Sequence, residues 1–170
     1  AFANSDFRIE ITRLDEITEL GYDGVEFLIS TNPGDPLRPM SKIASGGEIS
    51  RIMLAFKHII GSNDSVETMI FDEIDTGISG KTALVVGHKL SEIAKHRQIV
   101  CITHLPQIAA SGDDNFSIDK KISDGKSHTV IEHLNDNGKL EMLARLISGA
   151  PDSSNAIEAA RELIAAVKTE

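Results

Sequence analysis

Apolar side chains recur at helical spacing along much of the chain. The clearest case predicts a helix after residue 48, where six apolar residues share one helical face: Ile49, Ile52, Met53, Phe56, Ile59 and Ile60. At the start of this segment, Ser45 and Glu48 have the spacing of a helix-capping pair, and Gly61 is a typical helix end. Packing faces of the same kind predict helices over residues 82–94, 140–147 and 155–167.

Short apolar runs between these helices predict strands. Residues 68–71 and 98–103 are largely apolar, which is typical of buried parallel strands, and weaker patterns predict strands over residues 25–29, 115–119 and 128–134. Turn chemistry separates these elements at residues 31–36, 63–65, 77–80 and 121–126. Because helices and strands alternate in the middle of the chain, we expect an α/β fold with a mostly parallel sheet flanked by helices.

Composition narrows the class of protein. A chain of 170 residues has the length of one domain, and 41% hydrophobic with 25% charged residues is ordinary for a soluble globular protein. No apolar run reaches the roughly 20 residues that span a bilayer, and no secretion leader is visible, so we expect no membrane partner. Cys101 is the single cysteine and lies in an apolar run. We therefore expect it to be a small core residue rather than part of an internal disulfide.

The formal net charge of −9 bears on nucleic-acid binding. Contact with phosphates needs clustered lysines and arginines. The basic residues form only two short groups, and both are typical of a solvated surface: Lys120, Lys121 and Lys126, and Lys89, Lys95 and Arg97. If the protein acts on DNA, we expect most of the contact to lie outside these residues.

Polar residues at the ends of the two apolar strands are suited to phosphate chemistry. Asp72 and Glu73 follow the first strand and His104 follows the second, and ligands of open α/β sheets bind outside the carboxyl ends of strands. One carboxylate can support Mg²⁺, the other can orient and deprotonate a water, and the histidine can bond a phosphate. Ser45-Gly46-Gly47 precedes a helix, whose unpaired N–H groups can accept an anion.

The order of these motifs resembles the second half of an ABC-type ATPase head. Ser45-Gly46-Gly47-Glu48 resembles the signature motif, and residues 69–73 resemble Walker B with its catalytic glutamate. Residues 75–80 occupy the place of the D-loop, and His104 occupies that of the switch histidine. Each motif alone is more often structural, so the specificity lies in the ordered set.

The particular residues in and around these motifs narrow the resemblance to the RecN family. Five segments between Phe27 and Lys120 carry it: residues 27–34, 36–39, 41–48, 71–80 and 103–107. The heads of SMC and Rad50 proteins share the signature and Walker B motifs. They usually lack the Gly-Ile-Ser-Gly turn and the His-Leu-Pro-Gln continuation that stand here at residues 77–80 and 104–107.

This resemblance implies an SMC-like bacterial ATPase of DNA double-strand break repair and recombination. In such a head, a long coiled coil separates an N-terminal lobe, which carries the P-loop, from a C-terminal lobe with the motifs found here. Two heads sandwich ATP, so the expected cofactors are ATP and Mg²⁺. The expected partners are the P-loop lobe of the same protein, a second head in a homodimer, and DNA through the full-length protein. The expected location is the cytoplasm, at the bacterial nucleoid.

The resemblance also assigns roles to single residues. Asp72 would support Mg²⁺, commonly through water, and Glu73 would be the general base. His104 would sense the γ-phosphate. Asp75 would act across the dimer interface. The signature residues would contact the ATP of the partner head; they are Ser45, Gly46, Gly47 and Glu48.

The sequence departs from a complete head in two respects. It contains no G-x-x-x-x-G-K-[ST] motif: Gly80-Lys81-Thr82 lacks the upstream glycine, since Asp75 stands at that position. It also has no heptad run long enough for a coiled coil. We therefore expect the C-terminal lobe of a head, with the P-loop lobe absent and little ATPase activity alone. It would comprise leading strands and a loop (1–40), the motif core (41–120) and a C-terminal hairpin with helices (121–170).

Three alternatives stay open on the sequence. The chain could be part of an SMC or Rad50-type head of another chromosome-maintenance ATPase. It could be a metal-dependent phosphohydrolase or nuclease with Asp72, Glu73, Asp75 and His104 as ligands, a class that needs no P-loop. The isolated chain could also be a non-catalytic module that pairs with a P-loop lobe and regulates it.

Overall fold

The computed structural model describes residues 5–43, 45–60, 66–123, 125–149 and 153–169. The strands in these ranges are β1 (Asp6–Thr18), β2 (Gly21–Ser30), β3 (Arg38–Pro39), β4 (Thr68–Phe71), β5 (Gln98–Cys101), β6 (Asn115–Ser123) and β7 (Lys126–Leu134). The α-helices are α1 (Gly46–Ile60), α2 (Gly80–Ala94), α3 (Pro106–Ala110), α4 (Asp136–Ser148) and α5 (Ser154–Thr169), and a 3-10 helix covers Met40–Lys42.

The helices predicted from periodicity are confirmed. The start of α1 has the predicted cap, because the Glu48 N–H donates to Ser45 Oγ over 3.4 Å. α4 starts earlier than predicted, since Asn135 caps it by accepting from the Gly138 N–H over 2.9 Å. The predicted helix end at Gly61 and the predicted turn at residues 63–65 lie outside the described residues.

The parallel part of the fold is the pair β4 and β5, which α2 connects. Their register pairs Thr68 with Gln98 and Phe71 with Cys101. β4 turns Met69 and Phe71 into the core, where they pack with buried apolar residues of α1, α2, α3 and the turn after β4. These residues are Leu54, Ile74, Ala83, Val86, Leu90, Ile93 and Ile108. This core fixes the positions of the residues that follow each strand.

The prediction of a mostly parallel sheet needs a correction. In the described part of the chain, β1, β2 and β3 pair antiparallel, β6 and β7 form a second antiparallel sheet, and only β4 and β5 are parallel. The physical reason is connection length, because parallel strands need a crossover element, whereas β1–β2 and β6–β7 are joined by short turns. The latter turn contains Gly125, at a φ of +73°.

A second apolar cluster lies on the C-terminal side of the first. Leu143 and Ala144 of α4 pack against Ala156 and Ala160 of α5, and α3 contributes Ala109 and Ala110 to the same cluster. α3 also supplies Ile108 to the first core. This five-residue helix, which starts two residues after His104, therefore joins the two clusters.

The hairpins and the β4–β5 pair leave apolar side chains in solvent. On β4 and around the end of β5, Ile70 is 70% exposed and Ile102 is 50% exposed, opposite the buried Met69 and Phe71. Parallel strands normally have both faces covered. One face of this pair is therefore uncovered in the described chain. No helix of the described residues is long and apolar enough to cross a membrane.

Cys101 lies at the end of β5 and packs against the first core, as the sequence predicted. Burial raises the pKa of its thiol to about 12, and the negative charges of Asp75 and Asp72 act in the same direction. The thiol therefore stays protonated at neutral pH, which is typical of a packing residue rather than a nucleophile.

Candidate functional site

The turn after β4 carries the two acidic residues singled out in the sequence. Asp72 and Glu73 directly follow Phe71, and both are exposed. Asp72 Oδ1 accepts a hydrogen bond from the Glu73 N–H over 2.9 Å. The Asp72 carboxylate is thus fixed at the carboxyl end of β4, where its oxygen atoms are hard ligands of the kind that Mg²⁺ prefers.

Glu73 has a strained backbone. Its φ is +57°, and it is the one non-glycine residue with a positive φ among those described. For an L-amino acid this left-handed conformation costs roughly 1–2 kcal/mol. The Thr76 N–H donates to the Glu73 carbonyl over 3.1 Å. This bond closes a tight turn, and residues 72–76 are here called the acidic turn.

Asp75 connects the acidic turn to the segment after β5. Its side chain is 4% exposed, and Oδ2 accepts hydrogen bonds from Thr103 Oγ1 over 2.6 Å and from the His104 N–H over 2.8 Å. The His104 Nδ1 lies 2.9 Å from the same oxygen, while the His104 side chain stays 72% exposed. A proton on Nδ1 donates to Asp75, so the carboxylate orients the imidazole and leaves the rest of the ring accessible.

These contacts lower the pKa of Asp75. Burial opposes ionisation and by itself raises the pKa, but the hydrogen bonds from Thr103 and His104 and the charge of His104 together outweigh it. The carboxylate is therefore ionised at neutral pH, although it is buried. Its stabilising effect is fully present above the ordinary aspartate value of 3.8 and is lost as the pH falls through the lower pKa of the folded state.

We expect the variant Asp75→Asn to lose about 1–3 kcal/mol of unfolding free energy at pH 7, because the amide cannot replace a charged acceptor for three donors. The difference from the unchanged protein should shrink as the pH is lowered below 3.8. Urea unfolding, followed by circular dichroism across this pH range, measures both effects. The exposed neighbour provides the control: Asp72→Asn should leave the stability nearly unchanged. An Asp75→Asn deficit that is equally large at low and neutral pH would contradict this account.

The glycines of α1 pack directly on the acidic turn. A Cβ at Gly47 would lie 2.9 Å from the Glu73 carbonyl oxygen and 2.9 Å from both Cβ and the carbonyl oxygen of Thr76. A Cβ at Gly46 would lie 2.6 Å from Glu73 Oε2. Only glycine allows this approach, so the Glu73 carboxylate lies beside the first residue of α1.

Two polar side chains of α1 bind the same turn. Ser50 Oγ donates to the Asp72 carbonyl over 3.0 Å, and Arg51 Nη1 donates to the carbonyls of Ile74 and Thr76 over 3.1 and 2.8 Å. Burial lowers the pKa of the Arg51 guanidinium, while the charges of Glu48 and Asp75 oppose this effect. Arginine remains charged in either case.

The structure therefore brings most of the predicted site residues together. The glycines of α1 contact the acidic turn, and Asp75 of this turn contacts His104. The sequence did not single out Ser50, Arg51 or Thr103. Thr103 had a local signal as the residue before His104, whereas the contacts of Ser50 and Arg51 join residues more than twenty positions apart. Asp75, predicted to act across an interface, here binds residues of its own chain.

Comparison with known proteins identifies the family. No family model matches the chain. The DNA repair protein RecN of Halalkalibacterium halodurans is 47% identical over 146 residues, which are 86% of this chain and 26% of that protein. RecN of Treponema pallidum is 42% identical over 170 positions, with 96% of this chain and 30% of that protein covered. The chain belongs to the RecN family. It spans 26–30% of the length of these relatives.

Solved structures show the fold that this RecN family member adopts. The Smc head domain with a coiled coil and joint from Pyrococcus yayanosii has a TM-score of 0.60 at 21% identity, and covers 86% of this chain and 27% of that chain. The Smc head domain from Pyrococcus furiosus, bound to the C-terminal domain of ScpA, has a TM-score of 0.54 at 23% identity, and covers 78% of this chain and 31% of that chain. The predicted SMC-type α/β head is therefore confirmed as the fold class.

Proposed function

We propose that this chain is the C-terminal lobe of a RecN ATPase head that binds and hydrolyses ATP in bacterial DNA double-strand break repair and recombination. One observation carries the proposal: the acidic turn joins the glycine start of α1 to His104 through Asp75. The identity of 47% to a DNA repair protein RecN supports the biological setting.

The geometry supports a distinct task for each residue. The exposed carboxylate of Asp72, fixed by the Glu73 N–H, suits a Mg²⁺ ion that keeps most of its waters. When bound, such an ion neutralises charge on the phosphates. Glu73 is exposed at the carboxyl end of the strand and can accept a proton from water. His104, oriented by Asp75, can donate a hydrogen bond to a phosphate oxygen from the accessible part of its ring.

The signature residues complete this assignment. Gly46 and Gly47 start α1, whose first N–H groups and positive dipole end can accept the γ-phosphate of ATP. The hydroxyl of Ser45 caps the same helix, with Glu48 in its first turn. In the proposed arrangement the ATP is held by the P-loop of a second head, so the active form is an ATP-sandwiched homodimer.

The uncovered face of the β4–β5 pair supports the proposal that this chain packs against the P-loop lobe of the same protein. Ile70, Val100 and Ile102 are exposed by 70%, 43% and 50% on elements that normally lie inside a sheet. The net charge of −9 disfavours DNA contact by this chain, so we place the proposed DNA contact in other parts of the full-length protein. The proposed location is the cytoplasm, at the nucleoid.

The test is Mg²⁺-dependent ATP hydrolysis by this chain alone, by the P-loop lobe of the same protein alone, and by the two combined, here called the reconstituted head. We expect hydrolysis only by the reconstituted head, because the phosphate cradle and the acidic turn lie on different lobes. Hydrolysis by this chain alone would contradict the proposal. Formation of a stable complex without hydrolysis, measured by sedimentation, would instead favour a non-catalytic module.

The metal-dependent phosphohydrolase has no comparable support. Within the part of the chain that the structure describes, no group of three or more His, Cys, Asp or Glu side chains is arranged to hold a metal ion. Asp75, one of the four ligands this alternative requires, uses Oδ2 to bind Thr103 and His104.

A further inference from the structure

Consecutive side chains of α1 hold the backbone of the segment that carries Glu73. Ser50 donates to the carbonyl before Glu73, and Arg51 donates to the two carbonyls on either side of Asp75. Ile74, whose carbonyl Arg51 binds, is 0% exposed. The bond to Ile74 therefore satisfies an acceptor next to the core, where an unpaired carbonyl is unfavourable, while the bonds to Asp72 and Thr76 hold the exposed part of the segment.

The held segment needs such support. Glu73 is in the left-handed conformation, which an L-residue leaves readily unless the surroundings fix it. The hydrogen bonds within the turn run from the Glu73 N–H to Asp72 and from the Thr76 N–H to Glu73. Each is local and would survive a rigid displacement of the whole turn. The bonds from α1 are those that fix the turn relative to the glycines.

A planar guanidinium suits this task. Its N–H groups lie in a fixed fork, so one arginine can donate to two carbonyls of a tight turn at once. The negative charges of Glu48, on the same helix, and of Asp75, in the acidic turn, both act on Arg51. The guanidinium is thus attracted both by a charge on α1 and by a charge in the acidic turn, and it lies between these two elements.

We propose that Arg51, assisted by Ser50, is a positioning residue that sets the orientation of the Glu73 carboxylate relative to the start of α1. This inference rests on the proposed ATPase function of Glu73. If the inference holds, the contact between α1 and the acidic turn contributes to hydrolysis, because a shift of α1 would displace the Glu73 carboxylate.

The experiment compares kcat and KM for ATP in the reconstituted head with Arg51→Met, Arg51→Lys and Ser50→Ala. We expect Arg51→Met to lower kcat about tenfold or more with KM changed by less than about threefold, since the transition state alone needs an aligned base. Arg51→Lys should recover part of the loss, because an ammonium keeps donors but not the fork. Ser50→Ala, which removes a single hydroxyl, should lower kcat by about two- to fivefold.

The matched control is Arg97→Met. Arg97 also donates from Nη1 to a backbone carbonyl, that of Val66, before the start of β4 and away from the site. This variant should keep the kcat of the unchanged protein. All rates are measured below the thermal transition of each variant, as followed by circular dichroism. If Arg51→Met does not fold, Arg51→Lys and Ser50→Ala decide the matter.

A double variant separates positioning from general stabilisation. If Arg51 acts through Glu73, Arg51→Met combined with Glu73→Gln should lose little more than Glu73→Gln alone, because coupled residues are not additive. Multiplying losses, or an unchanged kcat in Arg51→Met, would overturn the inference while leaving the ATPase proposal intact. If Glu73→Gln itself has no effect, the proposed function fails instead.

Discussion

Replacing Glu73 by glutamine should lower the rate of ATP hydrolysis by the reconstituted head about 10²–10⁴-fold, the usual contribution of a general base. Glutamine has nearly the same size and shape, so the packing against Gly46 and Gly47 should persist. Its backbone meets the same left-handed penalty at a φ of +57°, so the acidic turn should keep its geometry. What disappears is the basic carboxylate.

The measurement is steady-state hydrolysis at saturating ATP and Mg²⁺, with unfolding curves for both proteins. Glu67→Gln is a matched control, because Glu67 is an exposed glutamate just before the start of β4, at the opposite end of that strand from Glu73. It should keep the full rate. A Glu73→Gln rate within about tenfold of the unchanged protein would be incompatible with the base assignment.

The variant Gly47→Ala should destabilise the chain and abolish most hydrolysis, even though alanine is the better helix former. Helix propensity favours alanine by about 1 kcal/mol. Against this, the added methyl would stand 2.9 Å from the Glu73 carbonyl oxygen and from two atoms of Thr76. Backbone atoms of a hydrogen-bonded turn yield little, and overpacking costs about 1–3 kcal/mol. We therefore expect a net loss of stability and a displaced acidic turn.

Gly46→Ala is the comparison that isolates the steric cause. A methyl at Gly46 meets mainly the end of the flexible Glu73 side chain, which can rotate away. Urea unfolding should therefore find Gly46→Ala at least as stable as the unchanged protein and Gly47→Ala less stable. Equal stability of the two variants would rule out the close packing of Gly47 as the reason for glycine there.

Periodicity predicted the four long helices but not the five-residue helix α3. In α1 the predicted apolar face is only partly covered, because Ile52 is buried whereas Ile59 is 79% exposed. The apolar character of residues 68–71 likewise predicted β4. The N-terminal hairpin was only partly predicted, since β1 is exposed along almost its whole length and so has no strong burial pattern. Sheet type was misjudged for a related reason: local patterns do not reveal which strands pair.

The site was predicted as a set of motifs, and its connections were not. Asp72, Glu73 and His104 were recognisable because each lies within a few residues of the end of a predicted strand, so a short stretch of sequence is enough to find it. The bond from Thr103 to Asp75 joins residues 28 positions apart, and the bonds from Arg51 span 23 and 25 positions. Such pairings depend on how the helices pack on β4 and β5. No spacing rule along the chain encodes them.

The left-handed backbone of Glu73 has a consequence for the evolution of this position. Selection for folding alone would favour glycine at residue 73, since glycine adopts a φ of +57° without the steric penalty of a side chain. The carboxylate side chain of Glu73 thus stands here against the local conformational preference. Sequences that drift toward greater stability at this turn would drift away from the side chain the proposed chemistry needs, so stability and activity are opposed within a single residue.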